Sequence, residues 1–141
     1  MPLTTADELE IIRLINRYSH AASNQDADAL IDLFTDDVVW ERKVGANDGK
    51  YTDRVRIEGR NAYRDFALQM FEVQGAIQYQ YVATNPVVIG DGDRAEGVST
   101  TFIIGVSDNN PSLMLLGNFD DEFRKTADGW KFSYRGMRCT M

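Results

Sequence analysis

The reading turns on Leu113 to Arg138, LMLLGNFDDEFRKTADGWKFSYRGMR. Phe119 and Phe123 share one parity in its first half. Trp130, Phe132 and Tyr134 share one parity in its second. Between them stand Asn118, Asp120, Glu122 and Arg124, then Lys131, Ser133 and Arg135, all polar or charged. Alternation with a period of two, interrupted by Thr126-Ala127-Asp128-Gly129, predicts two long strands joined as a hairpin. Its apolar face needs a cover, and the first half of the chain supplies helices for one.

Working back, two more strands are expected at about 77–89 and 94–106, joined by the turn Gly90-Asp91-Gly92-Asp93. Ser107 to Ser112, which contains a proline, separates them from strands at about 113–125 and 130–139. Arg60 to Gln74 is the clearest helix, with Tyr63, Phe66, Ala67, Met70 and Phe71 on one stripe and Gly75 as its stop. Val38 to Arg42 and Thr52 to Glu58 form an expected short hairpin around the loop Ala46-Asn47-Asp48-Gly49. At the start, Thr5 and Glu8 have the form of a capping box. A helical stripe of Leu9, Ile11, Ile12, Ile15, Tyr18 and Ala22 then runs to about Ser23. Asp26 can cap a second helix carrying Leu30, Leu33 and Phe34, with Thr35, Asp36 and Asp37 ending it. Helices followed by a run of strands predict an α+β architecture. A curved, mixed or antiparallel sheet wrapped around the N-terminal helices would leave a cone-shaped cavity suited to a small molecule.

The chain of 141 residues is expected to be one domain, 1–141, and 43% hydrophobic residues suffice for one core. A net charge of −7 argues against nucleic acid or an anionic membrane as partner, since both need clustered basic residues. Cys139 is the single cysteine, so no internal disulfide can form and a reducing, cytoplasmic setting is expected. The N-terminal MPLTTADELEI has neither a basic leader nor an apolar signal core. No apolar run approaches the roughly 18 residues of a membrane span.

Several local patterns coincide in order: Arg17-Tyr18, Asp26 to Leu30, Leu33 to Trp40, Gly59 to Phe66, Thr84 to Ala95, and Phe119 to Arg135. Together they resemble the SnoaL-like group of the nuclear-transport-factor-2-like superfamily, over about residues 6–138. The resemblance implies a cone-shaped α+β barrel, usually a homodimer packed through its sheet. Relatives include polyketide cyclases, ketosteroid isomerase, several dehydratases and limonene-epoxide hydrolase, besides non-catalytic members and the similar β-subunits of ring-hydroxylating dioxygenases. Fold alone therefore leaves function open.

Dehydratase-like members of the group use a tyrosine and an aspartate five residues apart on the first helix, and a histidine where the long strands begin. Here the tyrosine position is Tyr18, the aspartate position Ser23 and the histidine position Tyr81. Two of the three therefore lack the family's ionisable group. Tyr18 and Tyr81 could instead both donate to one carbonyl or phenolate oxygen and stabilise an enolate; equally, both could be ordinary core aromatics. Asp121 shares the parity of Phe119 and Phe123, so it is expected either to act as a desolvated base or to pair with Arg135 or Arg138. Ser23, Trp40, Phe66, Met70, Phe102 and Phe119 are the expected ligand-contacting residues. Val44 to Thr52 is a candidate flap. His20, about 200° around the helix from Tyr18, is expected at the surface. One His and one Cys offer no metal-ligand spacing, and no phosphate or dinucleotide motif occurs, so no cofactor is expected. Three readings stand: a cofactor-free isomerase, dehydratase or cyclase for a small apolar or aromatic substrate; a binding module of the same shape; and a structural subunit.

Overall fold

The computed structural model describes residues 1–43 and 54–140. The expected flap and the loop at 46–49 lie outside them. The elements run α1 (Thr5–Ser23), α2 (Ala27–Ile31), β1 (Phe34–Lys43), β2 (Val55–Glu58), α3 (Arg60–Gln74), β3 (Gln78–Asp91), β4 (Arg94–Ser107), β5 (Asn110–Thr126) and β6 (Gly129–Cys139). The strands form one six-stranded sheet in the order β2-β1-β6-β5-β4-β3. The β1–β6 pair is parallel and the other pairs are antiparallel. The sheet is curved and unclosed, and the helices cover its inner face. This is the α+β cone that the alternation and the helical stripes predict.

Local chemistry explains where α1 begins. Two overlapping pairs, Thr4 with Asp7 and Thr5 with Glu8, both fit a capping box, and the structure uses the first. Thr4 Oγ1 accepts from the Asp7 amide at 3.0 Å, and Asp7 Oδ2 in turn accepts from the Thr4 amide at 3.2 Å. The choice is tertiary. Asp7 Oδ1 also accepts from Lys125 Nζ at 3.1 Å and Trp130 Nε1 at 3.0 Å, which ties the helix start to the β5–β6 hairpin. The buried face of α1 is Ile11, Leu14, Ile15, Tyr18, Ala21 and Ala22, whereas Leu9 is exposed.

Asp26 caps α2 through the Ala29 amide at 3.0 Å, but α2 ends at Ile31. Phe34, expected on that helix, opens β1, and Thr35 to Asp37 lie within the strand rather than ending a helix. Phe34 is drawn out by its place beside Phe132 in the parallel pair and by ring contacts to Tyr18 and Tyr63. The expected connection from Ser107 to Ser112 is also shorter. Asp108 and Asn109 form a two-residue turn with φ of 50° and 63°, and Pro111 already pairs with Val106. Both central residues at positive φ match the twist of a right-handed hairpin.

One departure from strict alternation lies in β6. Glu122 pairs with Tyr134 and Phe123 with Phe132, so Ser133 is an extra, bulged residue. A one-residue insertion exchanges the two faces of the rest of the strand. Trp130 and Phe132 point inward as expected. Beyond the bulge, Arg135 and Met137 turn inward, and Tyr134 turns outward and donates to Glu41 Oε2 at 2.5 Å. Arg135 is therefore wholly buried instead of solvated.

Candidate functional site

Between α1, α3 and the inner face of the sheet lies a cavity of about 320 Å3. Its walls are largely aromatic and sulfur-bearing: Trp40, Phe66, Phe71 and Phe119 with Met70, Met114 and Met137. Such walls suit an apolar or aromatic molecule, and a few polar groups set among them would fix its orientation.

One polar cluster is built from three elements. Tyr18 from α1 and Tyr63 from α3 bring their hydroxyl oxygens to 2.9 Å, and Trp40 Nε1 from β1 donates to the Tyr18 hydroxyl at 3.2 Å. The helical stripe on α1 and the pleat of β1 aim these groups at one point. The hydrogens can be counted. Three donors, one indole and two phenols, share two internal bonds, so one phenolic hydrogen remains for a ligand. The second cluster surrounds Tyr81 on the edge strand β3. Ser23 Oγ accepts the Tyr81 amide at 2.9 Å, which ties the edge to α1. Gln74 Nε2 donates to the Tyr81 hydroxyl at 2.5 Å, and Gln25 Nε2 donates to Gln74 Oε1 at 3.1 Å. Tyr81 thus accepts one bond and keeps its own hydrogen to give.

Tyr63 and Tyr81 stay protonated at neutral pH. Burial, helped by Tyr18, pushes the Tyr81 phenol up to about 12. Burial and then Tyr18 push Tyr63 well above the usual tyrosine range, with Arg135 opposing them. A buried neutral phenol is a hydrogen-bond donor, not a base.

Of the residues expected to act chemically, Tyr18 and Tyr81 both line the cavity, and Asp121 does not. Asp121 is 3% exposed and lies 3.3 Å from Arg135 Nε, the pairing that was the alternative to a base role. Arg138 pairs instead with Asp120. Burial pushes the Asp121 carboxyl up to about 7, with Arg135 pulling the other way. Trp40, Phe66, Met70 and Phe119 line the cavity as expected. Ser23 does not, because its hydroxyl is engaged by the Tyr81 amide. Phe102 does not either: Thr101 and Ile103 take the inward positions of β4, and Phe102, between them, points to the outer face.

Tyr63 and Gln74 are the residues that sequence reasoning missed, and Arg135 was expected only as a partner for Asp121, not against the Tyr18 ring. Tyr63 was visible only as one of the stripe aromatics of α3. Gln74 continues that stripe past Ala67 and Met70, so an amide on an apolar face was the available signal. The inward turn of Arg135 was hidden by the bulge. His20 is exposed, and burial raises the Cys139 thiol. Among the described residues no group of three His, Cys, Asp or Glu side chains could hold a metal ion. No described helix is long and apolar enough to cross a membrane.

The sequence profile described as a SnoaL-like domain matches residues 4–136. No curated protein matches the sequence. Among solved structures, a protein of unknown function from Mycobacterium tuberculosis has a TM-score of 0.81 at 25% identity, over 96% of this chain and 77% of that one. A Novosphingobium aromaticivorans protein provisionally named an aromatic ring hydroxylase has a TM-score of 0.77 at 27% identity, over 99% and 92%. A second protein of that organism, provisionally named a scytalone dehydratase, has a TM-score of 0.75 at 21% identity, over 96% and 85%, a likeness of fold alone.

Proposed function

The chain belongs to the SnoaL-like domain family, and from that membership and the cavity we propose that it binds a small apolar or aromatic molecule through a carbonyl, enol or phenol oxygen. We assign it a cofactor-free proton-transfer reaction of the isomerase, dehydratase or cyclase type. The observation that carries this reading is the hydrogen count: two phenolic donors, one from the Tyr18–Tyr63 pair and one from Tyr81, remain available inside an aromatic cavity. Donors aimed at an oxygen stabilise the negative charge that develops there as a neighbouring C–H bond ionises. The provisional name of one similar Novosphingobium protein, an aromatic ring hydroxylase, also concerns aromatic chemistry.

One observation favours a second reading, a binding module without chemistry. Among the described residues lining the cavity none is a carboxylate or imidazole, so none is an obvious base. Deuterium exchange separates the two. A small aromatic ketone such as 2-tetralone, incubated with the protein in D2O, should exchange the hydrogens next to its carbonyl. Tyr18→Phe should slow that exchange by about 100-fold. Binding with no exchange above the buffer rate would leave the binding module; exchange unchanged in Tyr18→Phe would remove Tyr18 from the reaction.

A homodimer through the outer face of the sheet belongs to the same proposal. Val87 and Val98, paired across β3 and β4, and nearby Ile89 are 61%, 38% and 61% exposed there. Sedimentation should give a dimer that a Val87→Glu/Ile89→Glu variant splits, and a monomeric parent at high concentration would end this part. The single cysteine supports a cytoplasmic location, which cell fractionation tests.

A further inference from the structure

The protein carries a net charge of −7, yet its cavity is biased the other way. Arg42 is the one formally charged side chain among the described residues lining it. A second cation lies directly behind the wall. The Arg135 guanidinium, 0% exposed, sits 4.1 Å from the centre of the Tyr18 ring, 3.5 Å from that of Phe119 and 4.6 Å from that of Phe132.

We propose that this cavity selects ligands whose oxygen is negatively charged, enols or phenols bound as conjugate bases, and that Arg135 is the positioning residue that sets the preference by stacking behind Tyr18. The inference rests on the proposed use of the Tyr18–Tyr63 hydroxyl pair to hold a ligand oxygen.

The geometry of the pair distinguishes it from a structural salt bridge. An arginine that neutralises a carboxylate frequently presents its fork in two parallel hydrogen bonds, as Arg138 does to Asp120. Here the only approach is Nε to Asp121 Oδ1 at 3.3 Å, and among the described residues none of the three guanidinium nitrogens makes a hydrogen bond. The cation faces rings instead. A cation over an aromatic face is held more strongly as that ring gains negative charge, which happens when the Tyr18 hydroxyl gives its hydrogen toward an anion. The ionisable groups around the site are Tyr18 from α1, Arg42 from β1, Tyr63 from α3, Tyr79 and Tyr81 from β3, with Asp121 on β5 and Arg135 on β6 behind them. Asp121, pushed up to about 7 by burial, neutralises the guanidinium only in part near neutral pH.

The probe is 4-nitrophenol, whose absorbance reports its own ionisation, with 4-nitroanisole as its uncharged methyl ether. Bound to the parent protein, 4-nitrophenol should ionise about one pH unit below its free value, a tenfold preference for the anion. The Asp121→Leu/Arg135→Met variant keeps similar volumes without the charges and should lose most of that preference while binding 4-nitroanisole within about threefold of the parent. Asp121→Asn should strengthen the preference. If the ether binds and the phenol ionises no more readily than in water, or if the double variant keeps the full preference, this inference is overturned and the ligand-site reading stands. If neither compound binds, both fall together.

Discussion

Taking apart the Asp121–Arg135 pair should give markedly unequal losses of stability. The two side chains are 3% and 0% exposed and share one 3.3 Å contact. In Asp121→Leu the guanidinium cannot shed its proton, and the loss should be about 3–5 kcal/mol. In Arg135→Met the remaining carboxyl can take up a proton, so the loss should be smaller, about 1–3 kcal/mol, and should grow with pH. The double variant leaves no charge behind and should lie within about 1 kcal/mol of the parent or above it. The cycle then reports a coupling of at least about 2 kcal/mol.

Its pH dependence follows from the carboxyl, raised by burial from 3.8 to about 7. Between those values the folded protein holds a proton that the unfolded chain releases. This contribution is fully present below about pH 4 and is lost as pH rises through about 7. A separation of about three pH units bounds the loss at about 4 kcal/mol. Asp7, Asp37 and Glu41 are lowered by their hydrogen bonds and act with the opposite sign, but they are common to parent and variant and cancel in the difference. Urea unfolding followed by tryptophan fluorescence at about pH 5 and about pH 8 reads all four proteins. Additive single losses, or a double variant whose stability declines with pH as the parent's does, would refute the reasoning.

Two further outcomes are expected. Thr4→Ala should cost about 1 kcal/mol of unfolding free energy, while Thr5→Ala should be nearly neutral, because only Thr4 caps α1; equal losses would contradict the observed cap. Ser23→Ala should cost about 1–2 kcal/mol by leaving the Tyr81 amide without its acceptor, and amide hydrogen exchange at Tyr81 should rise; unchanged protection would show that the tie is not made in solution.

Periodicity placed most of the architecture because it reports which face of an element is buried. The helix Arg60–Gln74 was legible to the residue, since an aromatic stripe and a terminal glycine mark it without help from the rest of the chain. The inward aim of Tyr18 was legible for the same reason. Phe102 was not, because both faces of β4 carry apolar residues and neighbouring Phe102 and Ile103 look alike to any pattern of alternation.

What the sequence alone determined is what repeats locally: the helix and strand order, the net negative charge, the aromatic stripe of α3. What only the tertiary structure decided depends on a single residue or on groups far apart in the chain. One bulge at Ser133 turned Arg135 from solvent to the core. Lys125 and Trp130, more than a hundred positions away, chose between two adjacent caps at Thr4 and Thr5. Tyr63 became half of a hydroxyl pair because α3, packed on α2 and β1, carries it to the Tyr18 hydroxyl of α1. A local pattern records how often a face recurs, but not where an inserted residue exchanges the faces or which distant donor arrives.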